Sequence, residues 1–546
     1  MKISRLKLLL YFLQILRIVI VFIPQSGYIQ PDEFHQFTEP LAERFLRVET
    51  LKCWEFTRDQ PIRSMIIPQL LIGPMFLAFH RMFSPTSYQS LSSYWILVLP
   101  RFIMVLFSFI TDIVLKRLVT MINNNSDGHR SSSSSSRTKL YTSLIHSSTY
   151  LAFTYYNRTF TNTIETILMA LLLLIIFESL QLKRQKYTAS STKIGSILAI
   201  GFFNRPTFVI FASVPVIFWI CSFSRKQTTT TTTTTKTTAK HRIWSIITKW
   251  IRNSFAILQS FLVVSLMFIV GDSIFYNRFD LMTIINDPYD MIQNLVITPW
   301  NFIQYNIRPS NLANHGLHPV YFHSLVSMPL MFTLLAVMIY MNLFHNMWKF
   351  FRHSSSRRQC LVQIINDFYY GENQFRFRCT LHLTILFLLP LIIPIICLYG
   401  DHLARLMEKF QSLLVIWLIT QFVLTIFYGW IHQAGIIRSL LYLQNVHHNE
   451  LIADHMTVAD NVQIRLSIHA YPSLRRIFDQ TTETSTTTMM KIFLIMPSCY
   501  DEMLNKMIID EQFERLNVTN QQQQIEIELL QREFPNFSAE DLDQCF

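Results

Sequence analysis

The chain has 546 residues, of which 50% are hydrophobic and 15% charged, and its mean hydropathy is +0.27. That balance excludes a string of ordinary soluble domains and points to one polytopic membrane body. The formal net charge of +12 would suit a nucleic-acid partner. Many of the Lys and Arg stand between apolar runs, however, as in cytoplasmic loops, so no nucleic acid is expected.

The first segment, Met1–Pro24, begins basic and becomes apolar. No small-x-small cleavage site follows, so it reads as a retained first transmembrane helix with a cytosolic N-terminus. The next loop, Gly27–Leu46, then emerges on the lumenal side. It presents Asp32, Glu33 and Glu39 at once, with His35 between them. Acidic groups beside a bilayer either face water or do chemistry; the plainer reading is that Asp32 and Glu33 end a helix at the interface.

"SMIIPQLLIGPMFLAFH" (Ser64–His80) carries two prolines and reads as a surface-lying segment as readily as a span. Further apolar runs lie near 92–115, 141–156, 162–181, 194–223, 254–275, 324–345, 379–400 and 410–431. Hydropathy predicts about ten to twelve spans in all. The run 194–223 is too long for one ordinary span and has "NRPTF" at its middle, which predicts a broken pair of helices. The tracts Ser131–Ser136 and Thr228–Thr235 read as disordered loops. Residues 1–445 form the multi-pass domain. Residues 446–546 are polar, and "IEIELLQREF" (Ile525–Phe534) has helical spacing, as in a peripheral appendage. The side of the membrane on which this tail lies is left open.

Several polar groups do not belong in hydrocarbon. Arg158, Asn162 and Glu165 are spaced i, i+4, i+7, as on one helical face. Arg205 sits within an apolar run beside Pro206. A later block holds Asn301, Arg308, His315, His318 and His323. Each has a plain reading: Arg158 snorkels, or Glu165 pairs with it. The histidine spacing fits no common metal pattern, and the seven Cys include no CxxC pair, so no metal is expected. Together these segments predict one shared polar cavity.

The motifs, in order, are "YIQPDEFHQ", "WEFTRDQPIRSMIIP", "NRTFTNTIET", "GFFNRPTF", "DSIFYNRF", "TPWNFIQYN" with "HGLHP", and "YGWIHQAGIIRSL". This series resembles the dolichol-phosphate-mannose-dependent mannosyltransferases of glycosyltransferase family 22. The resemblance implies an all-α polytopic enzyme of GT-C architecture in the endoplasmic reticulum membrane. Its donor would be dolichyl phosphate mannose and its acceptor a lipid-linked glycan, with membrane lipids around it and no cofactor. "PDEFHQFTEP" and "HQAG" are most similar to the branch that adds a fourth mannose to glycosylphosphatidylinositol (GPI) precursors. The resemblance places Asp32 and Glu33 at the catalytic loop. Inversion at the anomeric carbon needs a base, which Asp32 suits; a phosphate leaves without a general acid. Arg63, Arg158, Asn162, Glu165, Arg205, Asn301, His315 and His318 are the expected substrate contacts.

The chain also departs from the family. Gln30 replaces the usual His before Pro-Asp-Glu, and a late motif is degenerate at Tyr399–Phe410. Gln30 keeps a non-catalytic relative in view. Within the family, the nearest rival is an enzyme adding the third GPI mannose or an N-glycan mannose. From a different class the rival is a transporter, which would want internal repeats, and none is evident.

Overall fold

The computed structural model describes residues 3–23, 25–27, 29, 32–46, 53–57, 59–83, 93–126, 132–181, 187–231, 239–278, 288–308, 311, 323–352, 389–432, 490–496 and 525–531. His315 and His318 lie outside the described residues, as do Gln30 and most of the tail.

Helix α1 (Ile3–Phe22) leads into the acidic stretch. Its outward face is apolar, with Leu8, Phe12, Ile15 and Val19 exposed, whereas Arg17 is buried. An apolar outside and a polar inside are what a hydrocarbon solvent selects. After Asp32 and Glu33 come a π-helical turn, Phe34–Thr38, and α2 (Glu39–Leu46). Short helices α3 (Trp54–Thr57), α4 (Ile66–Leu71) and α5 (Gly73–Phe83) follow. Ser64–His80 is thus divided at Ile72 into two short helices, with Pro68 and Pro74 each in a first turn, and makes no single span.

The centre is built from α6 (Ser93–Ser126), α7 (Ser132–Ser147) and α9 (Thr161–Gln181). Helix α9 is apolar all round and buries Leu168, Met169, Leu172, Leu173 and Ile176, as expected of a helix enclosed by others. A short α8 (Tyr150–Thr154), capped by Thr149, lies between α7 and α9. Trp219 and Trp417 are fully buried and give their indole N–H to Ser179 and Ser148 at 2.5 and 2.9 Å.

The run 194–223 breaks as its sequence predicts. Helix α10 (Tyr187–Asn204) stops at Arg205, and α11 (Phe208–Thr231) begins three residues later. Pro206 has no N–H to continue the ladder, and Phe208 folds onto Gly201, where a Cβ would meet the ring at 2.0 Å. Helix α12 (Ala239–Phe275) packs along α10 and turns Leu258, Leu262, Val263 and Met267 outward. Asn277, at φ 54, closes the turn after it.

Five described helical segments are long and apolar enough to cross a membrane: Tyr94–Ile122, Thr161–Gln181, Trp250–Phe275, Leu389–Lys409 and Gln411–Ile431. Among the described residues, Phe208–Cys221 and Leu334–His345 are shorter apolar helices and α1 is apolar but more charged; residues 379–388 of the expected run 379–400 lie outside the described residues.

Three local expectations are corrected. Ser132–Ser136 are the opening turns of α7, and Thr228–Thr231 extend α11, so both tracts are in part helical. Helix propagates from a packed segment into a neutral tract at little cost once nucleated. In the tail, Ile525–Gln531 is not helical. It forms strand β2, parallel to β1 (Met490–Met496), with Met490 opposite Ile525. The alternation Ile525, Ile527, Leu529 against Glu526 and Glu528 is a period of two, which wins over the helical spacing.

Candidate active site

The acidic stretch is the hub of the polar interior, and its two adjacent carboxylates part company. Glu33 is 2% exposed and held on both sides. Arg101 Nε donates to Oε1 at 2.7 Å and Arg158 Nη1 to Oε2 at 2.6 Å. Thr159 Oγ1 donates to the Glu33 backbone carbonyl at 2.6 Å. Burial is the largest influence on the Glu33 carboxyl and pushes it up, but the two guanidinium groups outweigh it and hold it below the ordinary value. Glu33, expected at the catalytic loop, has both oxygens engaged by buried guanidinium groups.

Arg158 is likewise spent. Besides Glu33 it donates to the carbonyls of Gly27 at 2.7 Å and Thr154 at 3.2 Å, and its side chain is fully buried. Arg158 does not share a helical face with Asn162 and Glu165, as their spacing predicts, because α9 begins only at Thr161. Arg158 lies in the preceding turn, closed by Arg158 N–H to Tyr155 O at 3.1 Å and Phe160 N–H to Arg158 O at 2.9 Å. The turn points its guanidinium toward the acidic loop. Glu165 therefore does not pair with it.

Asn162 and Glu165 meet the α10–α11 break instead. Arg205 Nη1 donates to Asn162 Oδ1 at 2.5 Å, and Thr207 Oγ1 donates to Glu165 Oε1 at 3.2 Å. Asn204 ties the same break to Thr161 O at 3.0 Å. Arg63 donates from Nε and Nη2 to Glu55 Oε1 at 3.1 and 2.9 Å. Asn301 donates to Pro61 O at 3.0 Å, so it supports the segment that carries Arg63.

That segment is fixed from a third direction. Asp272, fully buried, accepts from Ser64 Oγ at 3.0 Å, Met65 N–H at 3.1 Å and Thr298 Oγ1 at 3.0 Å. Tyr276 donates its hydroxyl to Arg63 O at 2.6 Å. Two stretches distant in sequence, Ser64 with Met65 and Thr298, thus converge on the Asp272 carboxylate.

Asp32 stands apart. It is half-buried and makes no hydrogen bond or ion pair with another described residue. Burial, aided by Glu55, pushes its carboxyl up, against the pull of Arg63, Arg205 and His35. Two buried donor groups of the same neighbourhood are also unmatched: Arg63 Nη1 and Arg205 Nε have no partner among the described residues. The arrangement offers one carboxylate able to accept a proton, beside two guanidinium groups able to receive an anion. Among the described residues no three His, Cys, Asp or Glu side chains gather as metal ligands.

Sequence reasoning missed several of these groups. Glu55, Ser64, Thr207, Asp272 and Thr298 stand inside motifs whose roles were left unassigned. Arg101 had no signal at all, since an Arg after Pro100 in an apolar run reads as an ordinary snorkelling side chain.

A fold of apolar helices around a buried polar site, opening on an acidic loop after the first helix, is that of a membrane-embedded glycosyl-transfer enzyme. Residues 8–477 match the Alg9-like mannosyltransferase family, and the chain belongs to it. It is similar to GPI mannosyltransferase 4 of Drosophila melanogaster, 26% identical over 83% of this chain and 70% of the relative. It is also similar to GPI alpha-1,2-mannosyltransferase 4 of Homo sapiens, 29% identical over 59% of this chain and 50% of that protein. GPI mannosyltransferase 4 of Candida albicans is 25% identical over 78% of this chain and 74% of its own length. No solved structure matches.

Proposed function

We propose that this chain transfers mannose from dolichyl phosphate mannose to a GPI-anchor precursor, as the fourth mannose, at the lumenal face of the endoplasmic reticulum membrane. One observation carries the chemistry. Of the carboxylates gathered at the site, Glu33, Glu39, Glu55, Glu165 and Asp272 are each bonded to a neighbouring side chain. Asp32 is not, and it is the group placed to take a proton.

In the reaction Asp32 accepts the proton of the acceptor hydroxyl as that oxygen attacks the anomeric carbon. The bond from that carbon to the phosphate oxygen breaks on the opposite face, and dolichyl phosphate departs with its electron pair. The β-linked donor gives an α-linked product. Arg63 and Arg205 receive the growing negative charge on the leaving phosphate through their unmatched N–H groups. Glu33 instead fixes the loop. The apolar exterior suits two lipid-tailed substrates that arrive sideways through the bilayer. The relatives' names support the GPI precursor as acceptor.

The test is transfer by microsomes that carry this chain as their sole enzyme of the kind, supplied with labelled dolichyl phosphate mannose. The product expected is a GPI precursor one mannose larger, with four in all, and Asp32→Asn microsomes should not form it. Label appearing instead in an N-glycan precursor would overturn the acceptor assignment.

A further inference from the structure

Asp32, His35 and Glu39 succeed one another at single-turn spacing along the acidic stretch, through the π-helical turn and into α2. At that spacing the three side chains share one face. His35 Nδ1 lies 3.0 Å from Glu39 Oε2, and Glu39 is 6% exposed. The carboxylate therefore fixes Nδ1 as the proton-bearing nitrogen and favours the imidazolium. Glu33, the intervening acid, is turned to Arg101 and Arg158 and takes no part.

We propose that His35, oriented by Glu39, is a positioning residue for the transfer reaction: its positive charge keeps the Asp32 carboxylate ready to accept a proton under mildly acidic conditions. The inference rests on the reading of Asp32 as the base. A half-buried carboxylate at a sugar-transfer site needs such help, because burial favours its protonated, inactive form. Burial is also the largest influence on His35 and lowers it, but Glu39, Asp32 and Glu55 outweigh it and raise the imidazole. Among the described residues, the groups facing this pair from neighbouring elements are Cys53 and Glu55, at and beside α3, Arg63 of the segment before α4, and Arg205 of the α10–α11 break. Glu55 is itself bound to Arg63, and among these described groups His35 is the cation whose ordinary titration lies near neutral pH.

Loss of the His35 charge makes Asp32 easier to protonate, so the acid limb of the pH profile moves to higher pH. The experiment measures transfer from labelled dolichyl phosphate mannose in membranes carrying the full chain, from about pH 5.5 to about pH 8.5, the range in which histidine titrates. Four variants are compared with the parent: Asp32→Asn, His35→Gln, His35→Lys and Glu39→Gln.

Asp32→Asn should be inactive throughout. Activity near the parent's would remove the base and this inference with it. With Asp32→Asn inactive, His35→Gln should move the acid limb upward, and His35→Lys, which keeps a positive charge, should move it back. Glu39→Gln, which changes no volume, should shift the limb in the same direction as His35→Gln by a smaller amount. It answers the question even where His35 variants fail to accumulate. An acid limb unmoved in Glu39→Gln and His35→Gln, or a fall equal at every pH, would mark a purely structural role and overturn the proposal while leaving Asp32 as the base.

Discussion

Gly27 donates its backbone N–H to the carbonyl of Gly429 at 2.7 Å, joining the start of the chain to the end of its last described apolar helix. The contact joins the acidic loop to the π-helical turn Phe427–Ile431 that ends the last apolar segment. Its neighbours reinforce it: Ser26 Oγ donates to Trp430 O at 3.1 Å and Gln25 Nε2 to Phe153 O at 2.9 Å. Gly27 O in turn accepts from Arg158. The backbone is therefore anchored on both sides five residues before Asp32, and this gives the late "YGWIH" stretch (residues 428–432) a physical part in the site.

A side chain at Gly27 cannot be accommodated. A Cβ there would lie 2.1 Å from Tyr428 O and 2.8 Å from the Gly429 carbonyl carbon, both backbone atoms. Gly27→Ala should lift the loop from its anchor, at a cost of about 1–3 kcal/mol, and should cut transfer activity with it. Gly429→Ala is the control: its nearest new neighbours are Gln25 side-chain atoms at 3.6–3.8 Å, an ordinary contact. Thermal unfolding of the two purified variants should separate them, with Gly27→Ala alone melting well below the parent.

The adjacent acids Asp32 and Glu33 should fail in different ways. Asp32→Asn should lose about 10²–10⁴-fold in transfer, the usual worth of a general base, with little change in melting. Glu33→Gln removes the charge between two buried guanidinium groups. Breaking a buried pair from one side costs about 3–5 kcal/mol, so the protein should accumulate poorly and melt early. The pH dependence has a definite sign. The Glu33 carboxyl is held below its ordinary value of 4.5, so its stabilisation is present above that value. It is lost only as the pH falls further, through the folded-state value. Melting measured from neutral to about pH 5 should show this contribution intact in the parent and absent in Glu33→Gln, and further acidification should erode it in the parent alone.

The helical membrane body and the break at Arg205 were legible because hydropathy and proline act locally. The partners of the site residues were not. The i, i+4, i+7 spacing of Arg158, Asn162 and Glu165 assumed that helix extended back to Arg158, whereas the turn Tyr155–Phe160 sends the guanidinium 125 residues back along the chain to Glu33. No local pattern encodes that distance. Arg101 is the same case, its role fixed by a partner 68 residues away. Asp272 was visible as a motif residue, yet its work of joining Ser64 to Thr298 depends on tertiary packing. In the tail, period two and helical spacing compete over Ile525–Gln531, and pairing with β1 decides between them.

A second buried polar cluster sits among α1, α6 and α7. Asp112 accepts from Arg17, from Ser147 Oγ at 2.8 Å and from His146 Nδ1 at 3.0 Å. Arg17 also lies over the Phe109 ring at 4.0 Å. The Asp112 carboxylate thus pins the first helix, and through it the start of the acidic loop, to two helices of the centre. Asp112→Ala leaves Arg17 and His146 without their common acceptor. Loss of one partner of a buried ion pair predicts about 3–5 kcal/mol of destabilisation. Asp112→Asn should retain part of the cluster through its amide oxygen. Detergent melting curves should rank parent above Asp112→Asn above Asp112→Ala. Equal melting of all three would show that α1 is held by apolar packing alone.

The phosphate assignment makes a separate prediction about the donor. Arg205 is braced by Asn162 on one nitrogen and presents an unmatched Nε, and Arg63 is braced by Glu55 and presents an unmatched Nη1. A charge-assisted hydrogen bond to a buried anion is worth about 1.5–3 kcal/mol, or roughly 10- to 100-fold in binding. Arg205→Ala should therefore raise the KM for dolichyl phosphate mannose by about that factor, and lower kcat as well if the contact tightens while charge builds on the leaving phosphate. Arg205→Lys keeps the charge but not the planar fork, so it should recover only part of the loss. Asn162→Ala, which removes the brace and leaves the guanidinium in place, should be milder than Arg205→Ala and should affect the same constant. Initial rates measured against donor and acceptor concentration separately decide the matter. A rise confined to the acceptor KM would move Arg205 to the glycolipid side of the site and leave Arg63 as the donor's cation.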